Sequence, residues 1–168
     1  MPRLLAFATI VLAAIAASAG PAASTSLAPC KAAQLSGTFN AIPGSEGAGN
    51  IVYALAVKNH SSSACTLSGL PRGRLLNING TAQQTHVIAD GPQNAPLVRV
   101  APGHTAHADA RFSPDVPGVG EGAAGKACEP KSYGFRVTAP GGGTFSVKLK
   151  PATPVCEHGR LQFKAYRG

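Results

Sequence analysis

The sequence predicts an all-β fold, an immunoglobulin-like antiparallel β-sandwich with two disulfides, and three observations predict it. Apolar residues recur at period two in short runs, while the 3.6-residue period of an amphipathic helix does not appear. Clusters of Gly and Pro separate those runs at regular intervals. Four cysteines, Cys30, Cys65, Cys128 and Cys156, follow an apolar leader, a pattern expected of a chain that matures in an oxidising compartment.

The leader is read first. Arg3 precedes the apolar run Leu4 to Ala17, and Ala17-Ser18-Ala19 supplies small residues where a signal peptidase cuts, so 1–19 reads as a signal peptide. The run is too short for the roughly 20 residues a bilayer core requires, and no stop-transfer segment follows, so no transmembrane span is expected. Residues 20–29, rich in Ala, Ser and Pro, read as a disordered tail or linker, and 30–168 as a single domain. Leu27-Ala28-Pro29-Cys30 resembles a lipoprotein site. Proline directly before the cysteine and the distance from the apolar run argue against lipidation, which would also leave an odd number of thiols.

The strands follow in order. Alternation marks Gln34 to Ala41 and then a strand on which Ile51, Tyr53, Leu55 and Val57 share one face, opposite Val52, Ala54, Ala56 and Lys58. Further strands are expected at Cys65 to Leu70, Arg74 to Ile78, Gln84 to Ala89, Leu97 to Val100 and Thr105 to Phe112. The last three fall at Ser132 to Thr138, Thr144 to Lys150 and Arg160 to Tyr166. Pro43-Gly44, Asn79-Gly80, Gly91-Pro92, Pro102-Gly103 and the glycines after Pro140 are the turns between them. The Cys-Trp-Cys core of antibody domains is absent, since the chain has no Trp.

Four cysteines allow three disulfide connectivities. Cys30 is expected to pair with Cys65 and Cys128 with Cys156, which closes loops of 35 and 28 residues. Each would contribute about 3.5 to 4 kcal/mol in the chain-entropy treatment. No Cys-x-x-Cys spacing is present, so the thiols do not read as zinc ligands.

Gly120 to Lys126 satisfies a Gly-x-Gly-x-x-Gly pattern and most of a P-loop. Ala127 stands where the P-loop needs a hydroxyl, and Pro130 would break the helix that both motifs require, so the segment reads as a glycine loop. The five histidines, His60, His86, His104, His107 and His158, form no chelating spacing. His104 and His107, three apart, point to opposite faces of a strand, and His158 suits a solvated turn. Neither a Gly-x-Ser-x-Gly elbow nor a carboxylate pair at a suggestive spacing is present. No catalytic residue, metal ligand or cofactor is therefore expected, and the chain reads as a non-enzymatic protein.

Charge is the most informative feature left. The chain carries 15 Lys and Arg against 7 Asp and Glu, and removal of the leader with Arg3 leaves +7. From Lys126 onward Lys126, Lys131, Arg136, Lys148, Lys150, Arg160, Lys164 and Arg167 face only Glu129 and Glu157, so +6 of that charge lies in the last quarter. If the last three strands share a sheet, Tyr133, Phe135 and Val137 with their counterparts fill the core. Arg136, Lys148, Lys150, Arg160 and Lys164, with Tyr166, then gather on one outer face. Such a face would dock on an anionic polymer of the cell envelope or an acidic polysaccharide. Nucleic acid is a poor fit, because Tyr166 alone offers a stacking surface.

The order of landmarks resembles the secreted bacterial family of domain of unknown function 4232. The matching residues are Cys30 with Leu35, the strand Ile51 to Asn59, and Asn59-His60-Ser61-Ser62-Ser63-Ala64-Cys65-Thr66-Leu67-Ser68-Gly69-Leu70-Pro71. Gly80, Ala101-Pro102-Gly103 with Ala106, Cys128-Glu129-Pro130, Val137-Thr138-Ala139-Pro140 and Cys156 follow. Leu70 replaces an aromatic common before that proline. The resemblance implies an exported sandwich with two disulfides and carries no catalytic residue. Asn59 and Asn79 head Asn-x-Ser/Thr triplets and read as turn residues.

A secreted or extracellular binding module, associated with the envelope through its basic face, is the function expected. The alternatives are a small secreted hydrolase or histidine-based metal-binding protein, and an accessory domain that offers a sheet edge to a partner.

Overall fold

The computed structural model describes residues 26–92, 97–122 and 128–168. The signal peptide expected over 1–19 and Lys126 lie outside the described residues. None of the described helices is long and apolar enough to cross a membrane.

Among the described residues ten strands form: β1 (Leu35–Ala41), β2 (Ile51–Asn59), β3 (Cys65–Leu67), β4 (Arg72–Leu76), β5 (His86–Ala89), β6 (Val98–Val100), β7 (Thr105–Phe112), β8 (Ser132–Thr138), β9 (Thr144–Thr153) and β10 (Arg160–Phe163). Each falls on a run with the expected alternation. Ile51, Tyr53, Leu55 and Val57 of β2 are buried, while Val52, Ala54 and Ala56 on its other face are partly covered. Their neighbours on β7 are small: Tyr53 sits beside Ala110, Leu55 beside Ala108 and Val57 beside Ala106. Large side chains on one strand next to alanines on the other let the interior fill without crowding.

Eight strands make one sheet in the order β4-β8-β9-β1-β2-β7-β10-β5, and β3 pairs with β6 in a small second sheet. The long sheet curls until its ends approach. Leu75 of β4 donates its N–H to Thr85 Oγ1 at 2.9 Å and accepts from Gln83 N–H at 2.8 Å, just ahead of β5. The protein is therefore all-β, with a nearly closed, barrel-like sheet where two separate packed sheets were expected. The rings of Phe39 on β1 and Phe163 on β10, three strands apart along the sheet, meet inside at 5.9 Å, and Phe135 of β8 joins both at 5.7 and 5.8 Å.

The disulfides are Cys30–Cys65 and Cys128–Cys156. The first ties the start of the domain to β3, reinforced by hydrogen bonds between Cys30 N–H and Thr66 O and between Thr66 N–H and Ala28 O. Ala28 and Pro29, expected in the linker, are thus already fastened to β3.

Asn59 closes β2 and is fully buried. Its amide donates to Ser63 O at 2.8 Å and Val100 O at 3.0 Å, and its oxygen accepts from Ser61 N–H and Ser61 Oγ. The expected turn residue is the polar centre that holds the loop before Cys65, with its hydrogen-bonding capacity used.

Candidate functional site: a basic groove on the outer sheet face

The expected cationic set is divided by the strand order. β8 and β9 are neighbours, but β10 is separated from β9 by β1, β2 and β7, because it pairs with β7 and β5. Arg136, Lys148 and Lys150 therefore lie on one side of the molecule, and Arg160 and Lys164 belong to another wall. There the charges are mixed. Arg160 pairs with Glu157 at 2.6 Å, and Lys164 lines a recess with Asp90, Asp109 and Arg111. Arg167 pairs with Asp109 at 2.9 Å.

Tyr166 is not a surface platform. The strand ends at Phe163, and the chain turns so that Tyr166 is buried and its N–H reaches Gly69 O at 3.1 Å. Burial pushes its phenol well above the ordinary range. A different tyrosine takes its place. Tyr133, expected in the core beside Phe135, is 39% exposed, because a register shift between Ser132 and Gly134 breaks the alternation at the start of β8.

Two further cations join Arg136, Lys148 and Lys150. Arg74 of β4 stands opposite Arg136, which stands opposite Ser146 of β9. Arg72 stands opposite Thr138, and Lys148 opposite Gly134. Directly paired residues point to the same side of a sheet, so Arg72, Arg74, Arg136, Lys148 and Lys150 share the outer face. Strands β4, β8, β9 and β1 carry no Asp or Glu, and none of the five cations pairs with a carboxylate among the described residues. Arg72 and Arg74 were missed because they lie outside the basic C-terminal quarter. Only the β4–β8 pairing brings them in.

A groove of about 510 Å³ runs along this face. Gly134 has no side chain to fill it, and Leu76 packs above Gly134 as an apolar floor. Tyr133 and the 70% exposed Ile78 line it together with Lys148 and Lys150. The two lysines also border a second recess of about 290 Å³ with Thr38 and Asn40 of β1. Arg136 donates to the carbonyl of Gly80, which also lines the groove, at 3.0 Å. The arrangement offers cations, an aromatic face and small polar groups side by side.

A second cluster stands apart from the groove, at the Cys128–Cys156 disulfide. Backbone N–H groups of Gly118 and Glu157 donate to Glu121 Oε2 at 2.6 and 2.7 Å, and that of His158 donates to Oε1. The two N–H groups from 157 and 158 converge because both residues adopt positive φ, 55° and 59°. Burial works to raise the Glu121 pKa, but those three donors and a hydrogen bond from Glu129 outweigh it and hold the group below the usual carboxylate range. Burial first, and then the charge and hydrogen bond of Glu121, push Glu129 up. His158 Nδ1 lies 3.4 Å from Glu121 and 3.8 Å from Glu129. Glu121 was read only as part of a glycine loop. No spacing rule links 121, 129 and 158, which a disulfide and a left-handed turn bring together. Residues 123–127 of the glycine loop lie outside the described residues, and from Cys128 the chain bends directly into β8.

The sheet, the two staples and the groove define a small all-β protein with a cationic outer face. The family model for the domain of unknown function DUF4232 matches residues 30–167, and the chain belongs to that family. No curated protein and no solved structure matches it.

Proposed function

We infer that the protein is a secreted, non-enzymatic binding module that works at or outside the cell envelope and docks through the outer face of β4, β8 and β9 on an anionic polymer. One observation carries this reading: five cations with no carboxylate partner among the described residues, Arg72, Arg74, Arg136, Lys148 and Lys150, line strands that hold no acidic residue. A solvated sheet face needs no such segregation, and the acidic residues on the opposite wall show that this chain mixes signs elsewhere. Uncompensated charge of this kind attracts polyanions over roughly a Debye length, about 8 Å at physiological salt.

The groove narrows the ligand class. Tyr133 offers a ring face for the C–H side of a sugar, with Lys148 and Lys150 in the same groove for its acid groups. An acidic polysaccharide or a glycosylated teichoic acid fits this better than a bare polyphosphate. Nucleic acid fits poorly, since one exposed aromatic cannot stack successive bases. Export is supported by the leader pattern and by two disulfides, which persist in oxidising compartments. The sheet also reads as a flattened immunoglobulin-like sandwich, β4-β8-β9-β1 against β2-β7-β10-β5, supported by the ring contacts of Phe39, Phe135 and Phe163 across the interior.

The test is binding of the oxidised protein to a polyuronate and to a teichoic acid, with dextran as the neutral control, at 50 and 300 mM salt. Tight binding to the charged polymers that weakens at least tenfold at the higher salt is expected. Equal binding to dextran, or binding insensitive to salt, would contradict the reading.

A further inference from the structure

We propose that Glu121, Glu129 and His158 form a three-ligand site for a divalent transition-metal ion of the zinc type, with Glu121 Oε1, Glu129 Oε1 and His158 Nδ1 as donors. The inference is independent of the basic groove. The donor atoms all lie within 4.8 Å of one another, with Nδ1 3.4 and 3.8 Å from the two carboxylates. Tetrahedral zinc with bonds of about 2.0 to 2.2 Å holds its ligand atoms about 3.3 to 3.6 Å apart, so little movement is needed.

The histidine's hydrogen bonding gives a second argument. His158 Nε2 lies 3.1 Å from Val119 O. A carbonyl only accepts, so Nε2 carries the proton, and in the neutral ring Nδ1 presents a lone pair toward two carboxylates. A ring N–H donated to a backbone carbonyl is also the usual way a metal-bound imidazole is oriented. Glu121 is fixed by its backbone donors yet keeps a lone pair on Oε1, which accepts one N–H where Oε2 accepts two.

Access and chemistry agree. The Glu121 side chain is 2% exposed, Glu129 25% and His158 44%, so an ion would enter from solvent and keep a fourth position for water. One imidazole with two carboxylates suits zinc and its neighbours. Calcium and magnesium require six or more oxygens and gain nothing from the ring. The disulfide immediately before Glu129 and Glu157 holds the two segments together.

The test is calorimetric titration of zinc into the oxidised, chelator-stripped protein, with calcium as a control. One equivalent of zinc should bind, Glu129→Gln and His158→Asn should each weaken it at least tenfold, and a triple His60→Ala, His104→Ala, His107→Ala variant should bind as the parent does. The imidazole signals of His158 in the unmodified protein should shift on zinc addition, a readout that does not depend on any variant folding. Absence of saturable zinc binding, undiminished binding by Glu129→Gln, or an unshifted His158 overturns the proposal.

Discussion

Asn59 shows how much one polar side chain decides in this protein. It is fully buried, and its amide ties the loop at Ser63 to β6 at Val100. Asn59→Ala removes the side-chain donor to the Val100 carbonyl and the tie to the Ser63 loop, and should cost about 1 to 3 kcal/mol in urea denaturation. Asn59→Asp should be no better at neutral pH, because a carboxylate cannot donate to either carbonyl. The sequence marks Asn59, at the head of an Asn-x-Ser triplet, as a turn residue; it ends β2, and its side chain accepts from the Ser61 N–H two residues on. Its burial depends on β6, some 40 residues away, and no local pattern carries that. Tyr133 was misplaced for a related reason. Period two puts it inward, but one irregular pairing at Ser132/Gly134 is enough to turn it out.

At the level of strands, alternation located all ten with small differences at their ends. Strand order was the part that alternation could not reach. Pairing of β10 with β5 and β7 is non-local, and nothing in Arg160 to Phe163 distinguishes those neighbours from β9. The assumption that successive strands adjoin placed Arg160 and Lys164 beside Lys148, and the sheet separates them. Close strand packing also explains particular glycines. A Cβ on Gly73 of β4 would overlap the Arg136 carbonyl and approach the Phe135 ring to 2.7 Å, whereas one on Gly47 meets nothing within 4 Å. Gly73→Ala should therefore destabilise by about 1 to 3 kcal/mol, and Gly47→Ala should stay within roughly 0.5 kcal/mol of the parent, both read from denaturation midpoints. Thr85→Val removes the acceptor for Leu75 N–H where the sheet nearly closes. A loss of about 1 to 2 kcal/mol is expected, with faster amide exchange at Leu75 but not in β2.

For the molecule as a whole, the staples and the charge distribution matter most. Replacing Cys30 and Cys65 together by Ala should lower stability by about 3.5 to 4 kcal/mol if the 35-residue loop acts mainly through chain entropy. Equilibrium denaturation of that variant beside the oxidised parent checks it. The pairing could be anticipated from cysteine order, whereas the Glu121, Glu129 and His158 cluster could not, since it exists only once Cys128 and Cys156 are joined. The proposed docking rests on the segregation of charge: one wall presents Arg72, Arg74, Arg136, Lys148 and Lys150 without acids, and the other balances Arg160, Lys164 and Arg167 against Glu157, Asp90 and Asp109. Two double charge reversals separate these walls while changing net charge equally, Lys148→Glu with Lys150→Glu and Arg160→Glu with Lys164→Glu. The decisive measurement is the affinity of both variants for a polyuronate at 50 mM salt. At least a tenfold loss for the first pair, with at most a twofold loss for the second, is the predicted result, and equal losses would contradict a localised site and leave only the attraction of overall positive charge.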